Sequence, residues 1–155
     1  MLKEKSQIIA YLNLKKVKEL RFNYSDPSDD IKATWDRAKL AVKCGLEFRH
    51  DAIKNYFIIL IDFRYEYKIS DKKKLLIVES KTETSFHILN LNKVMEAKKG
   101  SKYFNIHKKI MEDMIKIVVS NLRGMLIIKT AGTYMNEYYV PINLAEHLLK
   151  TLNSK

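Results

Sequence analysis

Apolar and polar positions along this chain follow two periods, two residues in the first half and three to four in the second. Leu12 and Leu14, then Val17, then Leu20 and Phe22 alternate with polar residues except for one slip at Lys15-Lys16, which predicts a first strand carrying a bulge. Ser25-Asp26-Pro27-Ser28-Asp29-Asp30 ends it. After a short connection holding Trp35, the residues Leu40, Val42, Cys44, Leu46 and Phe48 share one face at strict two-residue spacing, the mark of a half-buried strand. A third strand is predicted from Asn55 to Lys68, with Phe57, Ile59, Ile61, Phe63, Tyr65 and Tyr67 on one face and Asp62, Arg64 and Glu66 on the other. Ser70-Asp71-Lys72-Lys73 reads as a hairpin turn. The fourth strand, Leu75 to Ile88, sets Leu76, Val78, Ser80, Thr82, Thr84, Phe86 and Ile88 opposite Ile77, Glu79, Lys81, Glu83 and Ser85. Short connections between four such segments predict an antiparallel sheet with one apolar and one wetter face.

From Ile106 onward the period changes. Ile106, Ile110, Met114, Ile117, Asn121, Met125 and Ile128 recur every three or four residues, and Met111, Ile115, Val118 and Leu122 widen the stripe. This predicts a long helix of about 25 residues, with Gly124 as a point where it bends or splits, since an interior glycine costs about 1 kcal/mol. Then comes Gly132-Thr133-Tyr134-Met135-Asn136-Glu137-Tyr138-Tyr139-Val140-Pro141-Ile142-Asn143-Leu144, a glycine turn, an aromatic-rich extended crossover and a helix start. Asn143 is the expected N-cap of a short last helix that buries Leu144, Leu148, Leu149 and Leu152. The predicted fold class is α+β: a four-stranded antiparallel sheet followed by a long helix, an extended crossover loop and a short C-terminal helix. So wide an apolar helix face suits both the chain's own sheet and a second copy, and homo-oligomerisation is expected.

At 155 residues and 46% hydrophobic, the chain suits one domain, 1–155. Its single cysteine, Cys44, excludes an intramolecular disulfide framework and suits a reducing compartment. Met1-Leu2-Lys3-Glu4-Lys5 has no apolar signal core, and the longest apolar run, Tyr56 to Ile61, is far short of a membrane span; a cytoplasmic protein without membrane insertion is expected. The 29 Lys+Arg against 18 Asp+Glu give +11, a charge that raises nucleic-acid binding as an alternative. The lysines are nevertheless dispersed, in pairs and triplets such as Lys15-Lys16, Lys72-Lys73-Lys74, Lys98-Lys99 and Lys108-Lys109, and arginine, favoured for bidentate phosphate contacts, is sparse.

Catalytic constellations are scarce, so an enzyme is not expected. His50, His87, His107 and His147 lie on different elements, and none has a second histidine at helical metal-ligand spacing. Glu79 and Glu83 share a strand face, with Lys81 between them, as a solvated sheet surface would. Cys44 on the apolar face is a small hydrophobe. The glycines are isolated, without a phosphate loop or nucleophile elbow. No cofactor and no metal are expected.

The order of elements and several local signatures resemble the SecB export-chaperone family. Lys18-Glu19-Leu20-Arg21-Phe22 is similar to that family's first-strand ending, and Trp35 stands where a tryptophan often precedes the second strand. Leu75-Leu76-Ile77-Val78-Glu79 through Ser85-Phe86-His87-Ile88 is similar to its fourth strand. Gly132-Thr133-Tyr134, followed seven residues later by Pro141-Ile142-Asn143-Leu144, is close to the family's Gly-Thr-Phe and Pro-Val-Asn-Phe at the same separation. The likeness covers residues 8 to 152.

The resemblance implies an ATP-independent holdase that assembles as a homotetramer, a dimer of dimers, and binds unfolded or preprotein clients in hydrophobic grooves. The groove lining it implies is Trp35, Val42, Cys44, Tyr134, Met135, Tyr138 and Tyr139. Flexible Met and planar aromatic side chains suit many client sequences because they offer area rather than shape. It also implies a docking face for the translocase motor SecA at Glu19, Ile77 and Glu79. Two departures weigh against that partner: the family's better-known members are acidic where this chain is at +11, and Asn23 stands where another acid is expected. Export and the protection of an aggregation-prone antitoxin are both roles open to a SecB-like protein, and a divergent or toxin-antitoxin-associated member fits the basic charge.

Overall fold

The computed structural model describes residues 12–97 and 103–154; Lys98, Lys99 and Gly100 of the sequence reading, and the start of the chain through Tyr11, lie outside them. Four long strands, β1 (Leu12–Tyr24), β2 (Leu40–Asp51), β3 (Tyr56–Lys68) and β4 (Lys74–Ile88), form one antiparallel sheet in the order β1-β4-β3-β2. A helix of one turn and a half, α1 (Asp29–Ala33), lies between β1 and β2. Beyond β4 come α2 (Leu91–Val94), a small hairpin of β5 (Met95–Ala97) and β6 (Phe104–Ile106), the long helix α3 (Lys108–Lys129) and the last helix α4 (Leu144–Asn153). The chain is thus α+β, with a four-stranded antiparallel sheet, a long helix and a short C-terminal helix.

β3 carries the most continuous apolar run, and it takes an interior place in the sheet beside β4. Its alternate residues Phe57, Ile59, Ile61, Phe63, Tyr65 and Tyr67 are all buried, as are Val78, Ser80, Thr82, Thr84, Phe86 and Ile88 of β4. Against this inner face α3 packs Met114, Ile115, Val118, Val119, Leu122 and Leu126, and α4 adds Leu144 and Leu148. The strands at the two edges, β1 and β2, are only half covered because each has one neighbour.

Backbone turns close the connections with local chemistry. Between β2 and β3 the Asp51 carboxylate accepts the N–H groups of Ile53 and Lys54, and Asn55 takes a left-handed φ of 57°, which asparagine tolerates better than most residues. Past α3 the left-handed turn falls on Gly132, at φ 76°.

Several expectations change. The slip at Lys15-Lys16 is a register shift between Leu14 and Lys16, but β1 has a second one between Glu19 and Arg21. Val17 and Phe22 lie an odd number of residues apart, so both can face inward only if one extra residue, here Leu20, is accommodated between them. In β4 a further shift separates the pairs Tyr65↔Val78 and Glu66↔Leu76. The bulge at Ile77 turns that residue inward beside Val78 and puts Leu76 on the outer face: Ile77 is 0% exposed and Leu76 37%.

The long helix begins at Lys108, because Ile106 pairs with Met95 in the hairpin, and it runs through Gly124 without a break. The segment between α3 and α4 is curled and not extended. Thr133 starts the curl by donating its hydroxyl to the Thr130 carbonyl and accepting the Met135 N–H, and the N–H groups of Asn136 and Tyr138 bond three residues back. Asn143 does precede α4, yet its side chain makes no capping hydrogen bond.

The bulge in β4 makes a prediction that reverses the simple alternation. Ile77→Ala should cost about 2–5 kcal/mol in urea unfolding, and Leu76→Ala no more than about 1 kcal/mol. The opposite ranking would show an unbulged register.

Candidate functional site

The two sheet edges differ. β1 is shifted twice in register, whereas β2 pairs with β3 without a break from Leu40↔Tyr67 to Asp51↔Tyr56. On the inner face of β2, Leu40, Cys44, Leu46 and Phe48 pack against the core, and Val42 is 36% exposed. Above this edge strand lie the crossover and α4.

Two cavities open along the resulting furrow. One, of about 590 Å³, lies between Val42, Lys43 and Cys44 on the strand and Pro141, Leu144 and His147 on the crossover and the start of α4. Successive side chains of a strand point to opposite faces, so a cavity that meets three in a row reaches the strand at its edge. The other, of about 530 Å³, is lined by Phe48 of β2, Phe104 and Ile106 of the hairpin, Met111 of α3, and Leu149 and Leu152 of α4. Because the start of α4 borders the first cavity and its end borders the second, the helix and β2 run in the same direction.

At the beginning of β2, where Leu40 pairs with Tyr67, lies an aromatic cluster. The Trp35 indole stacks on Tyr67, with ring centroids 4.2 Å apart and an interplanar angle of 13°. It meets Tyr134 and Tyr138 edge-on at 5.1 and 5.7 Å. Tyr67 is itself fixed, because its hydroxyl accepts the Asp36 N–H at 3.1 Å and donates to the Thr34 carbonyl at 3.4 Å. Two cations lie over the tyrosine faces, Lys32 at 5.6 Å from Tyr134 and Arg37 at 5.7 Å from Tyr138.

The crossover is tied down at both ends. The Tyr134 N–H donates to the Tyr24 hydroxyl at 3.3 Å, and that hydroxyl donates to Asp26 at 2.6 Å. The hydrogen bonds from Lys32 and Tyr24 hold the Asp26 carboxyl below its usual range. Farther on, the Tyr65 hydroxyl donates to the Tyr139 carbonyl at 2.7 Å, and Arg123 donates to the Pro141 carbonyl at 3.2 Å. Burial pushes the Tyr65 hydroxyl up to about 12.

Of the groove residues implied by the resemblance, Trp35, Tyr134 and Tyr138 come together in the cluster, and Val42 and Cys44 line the first cavity. Met135 does not belong with them: it is 0% exposed, because the curl of the crossover turns it into the core. Tyr139 is 61% exposed and borders neither cavity. The cavities are also lined by residues not foreseen, Phe104, Leu149, Leu152 and His147, and the cluster includes Tyr67. Phe48 already shared the inner face with Val42 and Cys44 in the alternation, and that parity was the available signal for the second cavity.

The three residues implied for SecA docking do not form one surface. Directly paired residues of an antiparallel sheet share a face. Glu19 pairs with the buried Thr82, so it lies on the inner face, where Lys129 of α3 bonds it at 3.2 Å. Glu79 pairs with Asn23 and Arg64 on the outer face, and there Arg21 at 3.0 Å and Arg64 at 3.3 Å hold it. Ile77 is in the core. The second bulge of β1 and the bulge of β4 separate the three.

Among the described residues no helix is long and apolar enough to cross a membrane, and no group of three or more His, Cys, Asp and Glu is placed to hold a metal ion.

No protein-family model matches this sequence, and no curated protein does. Among solved structures, a SecB-like chaperone of Mycobacterium tuberculosis in complex with a ChAD peptide from an antitoxin aligns with 49% of this chain and 54% of its own, at 10% identity and a TM-score of 0.35. The match therefore spans about half of that neighbour's length. Function has to be read from this chain's own residues.

Cys44 offers a direct probe of the furrow. Burial first, and the nearby Asp62 charge second, push its thiol up to about 12 from 9.0. A thiol with a raised pKa keeps its proton longer in the folded state than in the unfolded one. Its contribution to stability is therefore complete below pH 9 and is lost as pH rises from 9 toward about 12. At pH 8 native Cys44 should be alkylated at least about a hundredfold more slowly than in urea, because only the thiolate reacts. Equal rates would mean that the first cavity is open to solvent down to the sulfur.

Proposed function

We propose that this chain is an ATP-independent holdase with a SecB-like fold, which binds unfolded polypeptide segments in the furrow between β2, the crossover and α4. The observation that carries the reading is that furrow: apolar along its floor, aromatic at one end and bordered by an unbroken edge strand. Apolar area buried there contributes about 25 cal/mol per Å². Several weak pockets on one segment then act together, so a long client is held more firmly than any single side chain would be. Pliable Leu, Met and aromatic walls favour breadth of sequence over a single shape.

On this reading the chain is a binding protein and not an enzyme, works in the cytoplasm and needs no nucleotide. Its active form is a homotetramer, and its clients include proteins held for export or an antitoxin kept from aggregating. The basic surface adds attraction for acidic clients. With Glu19 and Glu79 on opposite faces and both already paired, SecA is not among the partners we propose.

The test is suppression of aggregation of a chemically unfolded protein, without nucleotide, at low and high salt, with the mass of the complex followed by light scattering. Suppression should persist in high salt, since apolar burial is not screened as exposed ion pairs are. Val42→Asp should lower potency at least about tenfold by placing a charge in the first cavity, while leaving the unfolding midpoint little changed. Absence of suppression, with binding to DNA or RNA that falls steeply as salt rises, would assign the surface to phosphate instead.

A further inference from the structure

We infer that the end of the sheet formed by the β3–β4 hairpin and the turn before β2 (Arg37–Lys39) binds the phosphodiester backbone of a nucleic acid without reading its bases. The site lies apart from the furrow: none of Arg37, Lys39, Lys68, Lys72, Lys73 and Lys74 borders either cavity. It is a second binding activity, independent of the holdase reading.

Ladder register gathers these cations. Lys68 closes β3 directly opposite Lys74, the first residue of β4. Across the other side of β3, Leu40 pairs with Tyr67, so Lys39, one residue earlier, comes level with Lys68. Three adjacent strands thus begin or end on lysine, and at about 4.8 Å between strands the row spans about 10 Å. Lys72 and Lys73 stand at the hairpin tip, in a turn fixed by the Ile69 and Ser70 N–H groups, which donate to the Lys73 carbonyl at 2.9 and 3.1 Å. Arg37 opens the turn before β2 and lies over the Tyr138 ring. All of these cations are exposed. In sequence order they form two distant groups, and only the ladder joins them.

Charge balance singles out this end. Elsewhere on the sheet cations also face each other across a ladder, Lys43 opposite Arg64 and Arg21 opposite Lys81. There carboxylates are interleaved: Glu66 holds Lys43 at 2.7 Å, and Asp62 and Glu79 hold Arg21 and Arg64. At Lys68 opposite Lys74, among the described residues, only Asp71 answers, 2.6 Å from Lys68 and with its side chain 93% exposed. Among the same residues no carboxylate comes within ion-pair distance of Arg37, Lys39, Lys72, Lys73 or Lys74. The nearby acids are spent or apart: Asp36 accepts the Ala38 N–H, Asp26 holds Lys32, and Asp29, Asp30 and Glu137 are exposed without such a partner. Like charges directly opposite destabilise a strand pair, so this end keeps a repulsion that a bound polyanion relieves.

The density and kind of cation define that polyanion. Duplex nucleic acid carries about one negative charge per 1.7 Å of axis, so a span of about 10 Å presents about six phosphates. All but Arg37 are lysines, point charges that meet phosphates, whereas base edges call for forked arginine or amide side chains. Backbone contact without sequence preference follows. A lipid surface would ask in addition for an apolar side chain standing clear of the tip. Ile69, the apolar residue there, is 37% exposed, no more than Leu76 on the sheet face.

The experiment titrates the full chain into a fluorescent DNA duplex of about 20 base pairs, and into the RNA duplex of the same sequence, at salt from about 50 to 200 mM. Aggregation suppression is measured on the same preparation. Both duplexes should bind, and the logarithm of affinity should fall against that of salt with a slope of about 4 to 5, about 0.9 for each phosphate contact. The triple variant Lys72→Gln/Lys73→Gln/Lys74→Gln should lower that slope by about 2.7 and leave suppression unchanged. Lys39→Gln, on the far strand, should lower it by about 0.9. Asp71→Asn frees Lys68 and should raise it by about 0.9, a gain that a misfolded variant does not give. Removing three charges at Lys15, Lys116 and Lys150 instead should leave the slope as it is.

An equal fall in slope in that last variant overturns the site and assigns binding to the diffuse charge of the chain. Displacement of the DNA by polyglutamate as readily as by unlabelled DNA overturns the phosphate assignment in favour of an acidic polypeptide. Binding to phosphatidylserine vesicles and to neither duplex overturns it in favour of a membrane surface. No binding at all overturns the inference, while the holdase reading stands or falls on suppression alone.

Discussion

Burial of one apolar face shared by β3 and β4 beneath α3 is the constraint on which the other features depend. Phe57, Ile59, Ile61, Phe63 and Phe86 lose all contact with water there, and α3 can cover them only by lying along the sheet with Met114, Ile115, Val118 and Leu122 inward. Once the helix is so placed, the chain must return from its far end to the edge of the sheet. The crossover makes that return, and it reaches β2. The furrow is thus a consequence of where the core requires the long helix to end.

The core also dictates how irregular the strands must be. Ile77 and Val78 are both apolar and adjacent, as no alternating strand can bury them together, and the bulge in β4 accommodates both. β1 takes two such irregularities and carries Lys15, Lys16 and Lys18, features that discourage a further strand from pairing at that edge. β2 has none. The unequal edges explain why an accessible groove lies along β2, where a regular strand borders a helix that only partly covers it.

Around the start of β2 the arrangement rests on polar contacts as much as on aromatic ones. The Tyr67 hydroxyl fixes the backbone on both sides of Trp35, while Tyr24 and Tyr65 hold the crossover at Tyr134 and Tyr139. The hydroxyls of all three tyrosines bond main-chain groups, Tyr24 donating its proton to Asp26 while it accepts the Tyr134 N–H, which lets an irregular loop stay in place without a strand ladder.

The alternation of Phe57 through Tyr67 and the helical stripe from Ile110 to Leu126 were legible because period alone identifies a strand and a helix. The first bulge of β1 was legible as a slip in that period; the second was implied by the odd interval between Val17 and Phe22, and it decided that Glu19 and Glu79 lie on opposite faces. The short hairpin of β5 and β6 had no such signal, since three-residue strands carry too little periodicity. The furrow was half legible: the family resemblance implied Trp35, Val42, Cys44, Tyr134 and Tyr138, but it implied Met135 and Tyr139 with them, and the curl of the crossover takes these two elsewhere. The amino-acid sequence by itself determined the elements, their order and the face each would bury, because those follow from side-chain period and local turn chemistry. Which residues meet across the furrow was decided only in three dimensions, because it depends on ladder register, on bulges and on the curl at Thr133, through which residues far apart in the chain come to share one surface.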